Sequence, residues 1–267
     1  MANAAIETQP TLIDTHAHLQ LEHFDADREE VIRRATEAGV AVIICVATDM
    51  ASSRQAIVLA EKYPSVFAAV GIHPTDCGPA GDKDFFEIAE LARHAKVVAI
   101  GEIGLDYYWK NVDPATQAAA FVRQLELAQK LGKPVIIHNR EAGADILKIL
   151  REARLIQLRG VFHCFSENTD YAEDVLALGC HISFTGNLTY KKSTLPAIAE
   201  KISLERLLLE TDCPFMSPVP HRGKRNEPAF TVAVAEKLAI LKNITLAEVC
   251  RHTSQNAAAL FKLPNGL

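Results

Sequence analysis

Apolar runs of strand length alternate along this chain with amphipathic runs of helix length, and glycine, proline or aspartate marks the joins. The first strand is expected over residues 12–15. A helix over 28–38 carries Val31, Ile32, Ala35 and Ala38 on one stripe and stops at Gly39. A second strand over 40–47, a helix over 50–63 and a third strand over 66–72 follow, the last delivering His73 and Pro74. Helical spacing over 84–94 leads to a fourth strand, 97–102, after which Gly101-Glu102-Ile103-Gly104 is read as the start of a long loop bearing Asp106, Tyr107, Tyr108 and Trp109.

Pro114 suits a first helical turn, so a helix is expected from there to Leu131, ended by Gly132 and followed by a fifth strand over 134–138. Helix 144–154, strand 160–164, helix 171–178, strand 180–185, helix 192–202 and strand 207–210 complete the alternation, and 228–241 and 245–261 read as two closing helices. A β-then-α unit that recurs eight times predicts an α/β fold, a (β/α)8 TIM barrel in a single domain over 11–265, with 1–10 as a loose tail. An open doubly wound sheet expects a glycine-rich phosphate turn after its first strand, where this chain has His16-Ala17-His18.

Those two histidines are the first candidate chemistry. Residues two apart on a strand point to one side, so His16 and His18 form a chelating pair, and burying both without a bound partner is costly. Glu102 follows Val97-Val98-Ala99-Ile100-Gly101, His138 follows Val135-Ile136-Ile137, His163 follows Val161-Phe162, and Asp212 lies just beyond Leu207-Leu208-Leu209. Polar residues at the carboxyl ends of so many apolar strands predict a joint metal site, since barrels gather their working residues there. The donors exceed what one tetrahedral ion takes, so two divalent ions are expected, zinc or manganese by ligand type, with magnesium the less comfortable choice. Such a pair makes water reactive, and a hydrolase is the consequence. His94, His181 and His252 read as ordinary hydrogen-bonded histidines.

Composition narrows the setting. A chain of 267 residues, 49% hydrophobic, can bury a large core, and a formal charge of -5 excludes a coating for nucleic acid, so any basic site is local. Six scattered cysteines without a Cys-X-X-Cys read as reduced thiols. The first ten residues lack the basic start and apolar stretch of a secretory signal, and no run is long enough to span a bilayer, so a cytoplasmic protein without membrane or obligate protein partner is expected.

Taken as a set, Ile13-Asp14-Thr15-His16-Ala17-His18-Leu19, Gly71-Ile72-His73-Pro74, Gly101-Glu102-Ile103-Gly104-Leu105-Asp106-Tyr107, His138-Asn139-Arg140-Glu141-Ala142, His163-Cys164-Phe165-Ser166, Glu210-Thr211-Asp212-Cys213-Pro214 and Pro220-His221-Arg222-Gly223-Lys224-Arg225-Asn226 span nearly the whole chain. In that order they resemble the TatD-type metal-dependent deoxyribonucleases of the amidohydrolase-like barrel superfamily. The resemblance implies that His16, His18, Glu102 and Asp212 hold one ion and that Glu102 bridges to a second held by His138 and His163. It implies hydrolysis of phosphodiester bonds in DNA, with trimming of strand ends from the 3′ side as in some members. Many relatives carry glycine where this chain has Glu167.

In the mechanism expected from this, Asp212 accepts the proton of the attacking water. Phosphate contacts are expected from Arg222, Lys224 and Arg225 in the loop after the eighth strand, and from Arg140 and His73 nearer the ligands. Tyr107, Tyr108 and Trp109 are read either as a lid or as a stacking surface for an unpaired base. The partner is then a DNA strand end. A barrel of this kind cleaving a small ester, amide or phosphoester is the alternative, because the fold alone does not choose the chemistry.

Overall fold

The computed structural model describes residues 11–153 and 159–264; the expected tail, residues 1–10, and the expected end of one helix at Arg154 lie outside the described residues. Eight parallel strands form one sheet in chain order: β1 (Leu12–Ala17), β2 (Val40–Val46), β3 (Val66–Val70), β4 (Val97–Asp106), β5 (Val135–Arg140), β6 (Gly160–Phe162), β7 (His181–Phe184) and β8 (Leu207–Leu209). The helices between them are α1 (Arg28–Glu37), α2 (Met50–Lys62), α3 (Asp82–Leu91), α4 (Pro114–Leu131), α5 (Gly143–Glu152), α6 (Thr169–Ala177) and α7 (Leu195–Lys201), with α8 (Thr231–Lys242) and α9 (Leu246–Phe261) after β8. This is the expected (β/α)8 barrel.

Local chemistry sets the helix ends. The Asp49 carboxylate accepts from the Ser52 amide at the start of α2, and Asp113 accepts from the amides of Ala115 and Thr116 ahead of α4, whose first residue is Pro114. Gly132 ends α4 in the left-handed region (φ 63), as read from the sequence. The expected helix 192–202 contracts to α7, and the segment beginning at Pro228 opens with a short 3-10 turn, Pro228–Phe230, before α8.

The ring is closed where the first and last strands meet. A parallel bridge joins Ala17 to Cys213; the Asp212 amide donates to the His16 carbonyl and the His18 amide to the Cys213 carbonyl, both at 2.8 Å. Beneath them buried Asp14 accepts from the Thr211 hydroxyl at 2.6 Å and the Thr211 amide at 3.0 Å. Inside the barrel, residues such as Val42, Ile44, Phe67 and Val161 pack with Leu260, Phe261 and Leu263 from the end of α9 and just after it. Each such side chain removed from water contributes about 1.5–3 kcal/mol.

Two glutamines on one face of α4 tie that helix to the strand ends. Gln117 bonds both the amide (2.8 Å) and the carbonyl (2.9 Å) of Asp106, and Gln124 bonds both those of Ile72, at 2.8 and 3.0 Å. Residues seven apart share a helix face, so one rigid element sets the height of β4 and of the residue preceding His73.

Strand β4 departs from its expected end. It continues through Glu102 to Asp106, fully buried, so Asp106 belongs to the strand and the loop begins at Tyr107. Gly104 permits this: its φ is +142, and a Cβ there would sit 2.0 Å from the His138 carbonyl oxygen on β5.

Candidate metal centre

Six of the residues singled out in the sequence converge at the carboxyl end of the barrel. His16 Nε2 and His18 Nε2 are 3.2 Å apart, and the remaining members of this set are close: Glu102 Oε2 is 3.3 Å from His16 Nε2 and 3.8 Å from His18 Nε2, and Asp212 Oδ1 is 3.8 and 3.3 Å from the same two nitrogens. Donor atoms around a tetrahedral zinc with bonds of about 2.1 Å stand about 3.4 Å apart, so this set has the spacing of a ligand shell. The other oxygen of Glu102, Oε1, lies 2.7 Å from His138 Nδ1 and 2.7 Å from His163 Nε2, with those two nitrogens 3.3 Å apart. One carboxylate therefore faces two nitrogen sets, one with each oxygen. His73 Nε2, expected as a substrate contact, stands 3.6 Å from Glu102 Oε1 and joins Glu102 and His138 in a possible donor group.

The ring nitrogens that face away are fixed by acceptors. His18 Nδ1–H donates to the Val46 carbonyl at 2.8 Å, and His138 Nε2–H donates to Asp106 Oδ2 at 2.9 Å. Each leaves the opposite nitrogen as a lone pair aimed inward, the arrangement that metal-binding histidines use. His163 Nδ1 lies 3.4 Å from Glu210 Oε1, and Glu210, fully buried, also accepts from the Cys164 amide at 2.6 Å. The donor chemistry, spacing and tautomers fit divalent ions of the zinc or manganese kind.

Asp106, Glu210 and Asp14 were not singled out as site residues in the sequence. Asp106 shares strand parity with Glu102, a signal that the glycine at 104 concealed. Glu210 shares parity with Asp212 in the same way. Asp212 itself adopts a left-handed backbone (φ 56), and its segment is held by buried Asn226, whose Nδ2 donates to the carbonyls of Thr211 (2.8 Å) and Phe215 (2.6 Å).

Burial opposes ionisation of Glu102, and the facing imidazoles, His163 first, outweigh it and hold its carboxyl well below the usual range. Asp212 is lowered despite burial by His18 and its neighbours. Burial, with the His138 charge, pushes His73 down to about 3, so it stays a neutral imidazole. For His18, His138 and His163 burial works downward too, but the carboxylates Asp212, Asp106, Glu102 and Glu210 around them win and raise all three above the ordinary 6.5.

That sign has a measurable result. In the metal-free protein a raised histidine favours the fold below pH 6.5 and loses that contribution as pH rises through its folded value. A metal requires the opposite, deprotonated form. Zinc or manganese affinity should therefore fall as pH drops through the region above 6.5, with protons released on loading. Calorimetric titrations in two buffers of different ionisation enthalpy measure that release, and loading without any would contradict the assignment.

A cavity of about 660 Å³ opens over these groups, walled by Trp109, Arg140, Phe215 and Met216 among others. Arg140 lies in the wall with its guanidinium over the Tyr108 ring at 3.8 Å. Glu167 accepts from Asn139 at 3.0 Å on the same rim. Arg222, exposed, rests on the Tyr190 ring at 3.8 Å, and Lys224 is exposed; neither lines the cavity.

Arg225, expected at a substrate phosphate, is engaged within the chain. Its guanidinium makes two bonds to Asp27, at 2.8 and 2.7 Å, and one to the His23 carbonyl at 2.6 Å, so it fastens the segment before α1. Arg34 holds Asp27 and Glu227 alongside, and the two arginines, Arg225 first, pull Asp27 down to about 2. Arg225→Ala should lower stability by about 1 kcal/mol, as a part-exposed bidentate pair does, and leave substrate affinity unchanged. Chemical denaturation beside steady-state kinetics distinguishes this from a phosphate contact.

All six cysteines are free, and no helix among the described residues is long and apolar enough to cross a membrane.

Comparison with known proteins agrees with the architecture. A family model described as TatD related DNase matches residues 13–262. An uncharacterized metal-dependent hydrolase, YabD of Bacillus subtilis (strain 168), is 42% identical over 253 residues, covering 94% of this chain and 99% of that protein. A protein of Edwardsiella piscicida named 3'-5' ssDNA/RNA exonuclease TatD is 36% identical over 260 residues, covering 94% of this chain and all of that one, 100%. Among solved structures, YjjV, a TatD homologue from Escherichia coli K12, superposes with a TM-score of 0.90 at 33% identity, covering 95% of this chain and 98% of that one.

Proposed function

The chain belongs to the family of TatD-related DNases and is a metal-dependent hydrolase, and within that family we propose that it cleaves phosphodiester bonds in DNA, removing nucleotides from the 3′ end of an unpaired strand. The observation that carries this reading is Glu102, whose two oxygens each face a separate imidazole set at the floor of an open cavity. The exonuclease name of the Edwardsiella relative supports the substrate class. We take His16, His18, Glu102 and Asp212 to hold one ion, and Glu102, His138 and His163 to hold another, with His73 beside the second.

When bound, such ions supply Lewis acidity toward the phosphate and lower the pKa of water. The rest falls to side chains. Asp212, kept ionised by its imidazole neighbours, accepts a proton from the water that attacks phosphorus and returns it to the sugar oxygen whose bond to phosphorus breaks. Asp106 and the Val46 carbonyl keep His138 and His18 in one tautomer throughout. Arg140, in the cavity wall, pairs with a substrate phosphate, and Arg222 and Lys224 lie farther out, where a longer strand would run. The free cysteines support a reducing cytoplasm as the place of action.

The test is direct. Protein stripped of metal and reloaded with manganese, magnesium or zinc should shorten end-labelled single-stranded DNA to a ladder from one end, with a chelator abolishing it. Turnover of small esters or amides alone would put the alternative hydrolase ahead, and no metal-dependent turnover at all would leave only a metal-binding scaffold.

A further inference from the structure

Among the described residues four aromatic side chains are exposed, Phe86, Tyr108, Trp109 and Phe215, and two of them, Trp109 and Phe215, line the cavity over the donor cluster. Trp109 is 54% exposed and Phe215 50%, a large apolar area to leave in water beside an otherwise polar floor. They come from opposite sides. Trp109 follows β4 and Phe215 follows β8, and in a ring ordered β1 to β8 these strands lie halfway round from each other.

Neither side chain is exposed through slackness of its loop. The amides of Tyr108 and Trp109 both donate to Asp106 Oδ1 at 3.0 Å, while Asp106 Oδ2 holds His138. One carboxylate thus ties the aromatic turn to a candidate ligand. Asn111 donates to the Thr75 carbonyl at 2.6 Å and the Tyr107 hydroxyl to Asp145 at 2.7 Å, fixing the flanks of the turn. Across the cavity, the Phe215 carbonyl is held by Asn226 and its amide by the Asp212 carbonyl at 2.9 Å. The backbone that carries each ring is therefore held in place beside the donor cluster, and the Arg140 guanidinium packs over the Tyr108 ring (3.8 Å) with the Trp109 ring next to it (5.8 Å), the two rings meeting edge to face at 5.0 Å.

We propose that Trp109 and Phe215 are the two base-stacking walls of the cavity, receiving unpaired nucleosides on either side of the phosphodiester that lies over the donor cluster. This rests on the reading of the site as a nuclease and adds its specificity. A flat ring takes any base, so cleavage is tolerant of sequence, and it takes only a base whose faces are free, so a fully paired duplex end is refused until it frays. With a formal charge of -5, the chain gains its hold on the strand from these rings more than from long-range attraction.

Trp109 is the sole tryptophan, so indole fluorescence reports on this wall alone. Manganese-loaded protein titrated with phosphorothioate-linked oligothymidylate should show saturable quenching. An oligonucleotide of equal length whose terminal sugars lack bases should bind about tenfold more weakly, without quenching. Trp109→Ala and Phe215→Ala should each raise KM for single-stranded DNA about tenfold while kcat stays within about twofold, and Trp109→Phe should restore KM. DNA that is cleaved without quenching, or a Trp109→Ala enzyme with wild-type KM, overturns the stacking walls and leaves the nuclease reading standing. Wild-type protein that hydrolyses esters but never DNA overturns both.

Discussion

Glu102→Gln should abolish hydrolysis and the metal-dependent rise in melting temperature together, in a protein that still folds. The carboxylate is 3% exposed and is the common neighbour of both nitrogen sets, so an amide in its place loses a negative charge shared by the two sets and turns an NH2 toward imidazole lone pairs. Shape is nearly unchanged, which protects the fold. The loss in kcat/KM should be at least about 10³-fold, because on the proposed assignment it removes the carboxylate shared by both donor groups. Metal content by elemental analysis, read beside thermal melts with and without manganese, checks it. A Glu102→Gln protein that loads two ions per chain and turns over at half the normal rate would contradict the bridging role.

Asp212→Asn is expected to separate chemistry from metal uptake. On the proposed assignment His16, His18 and Glu102 remain to hold an ion, whereas the proposed proton acceptor is gone. A fall of about 10²- to 10⁴-fold in kcat with little change in KM is expected, the range general-base removal gives. The backbone bond from residue 212 to the His16 carbonyl is kept, so the ring should close normally. Near-normal turnover by this variant would sink the proton-acceptor role.

Much of the architecture could be read from the chain because parallel strands covered on both faces are continuous apolar runs, and runs such as 40–47 and 66–72 contain little else. His16 and His18 stood out because parity places both on one side of a strand. Asp106 did not, since Gly104 looked like the start of a loop; it is needed there because the neighbouring strand's carbonyl leaves no space for a Cβ. The basic loop shows the opposite limit. Charge spacing made Arg225 resemble Arg222, but only the folded chain brings Asp27 beside it, from 198 residues away in sequence. Pairing across such distances leaves no periodic trace.

The seam between the first and last strands carries a temporal consequence. His16 and His18 emerge early in synthesis, yet Asp212 and the amides that complete the ring are the last of the ligand-bearing segments to be made. Long-range strand pairing is also a slow event in folding. A nascent or truncated polypeptide ending before β8 therefore has a gap in its wall and lacks Asp212, the proposed proton acceptor. On the proposed function, hydrolytic power arrives only with the finished barrel, and half-built molecules are harmless to any nucleic acid near the ribosome.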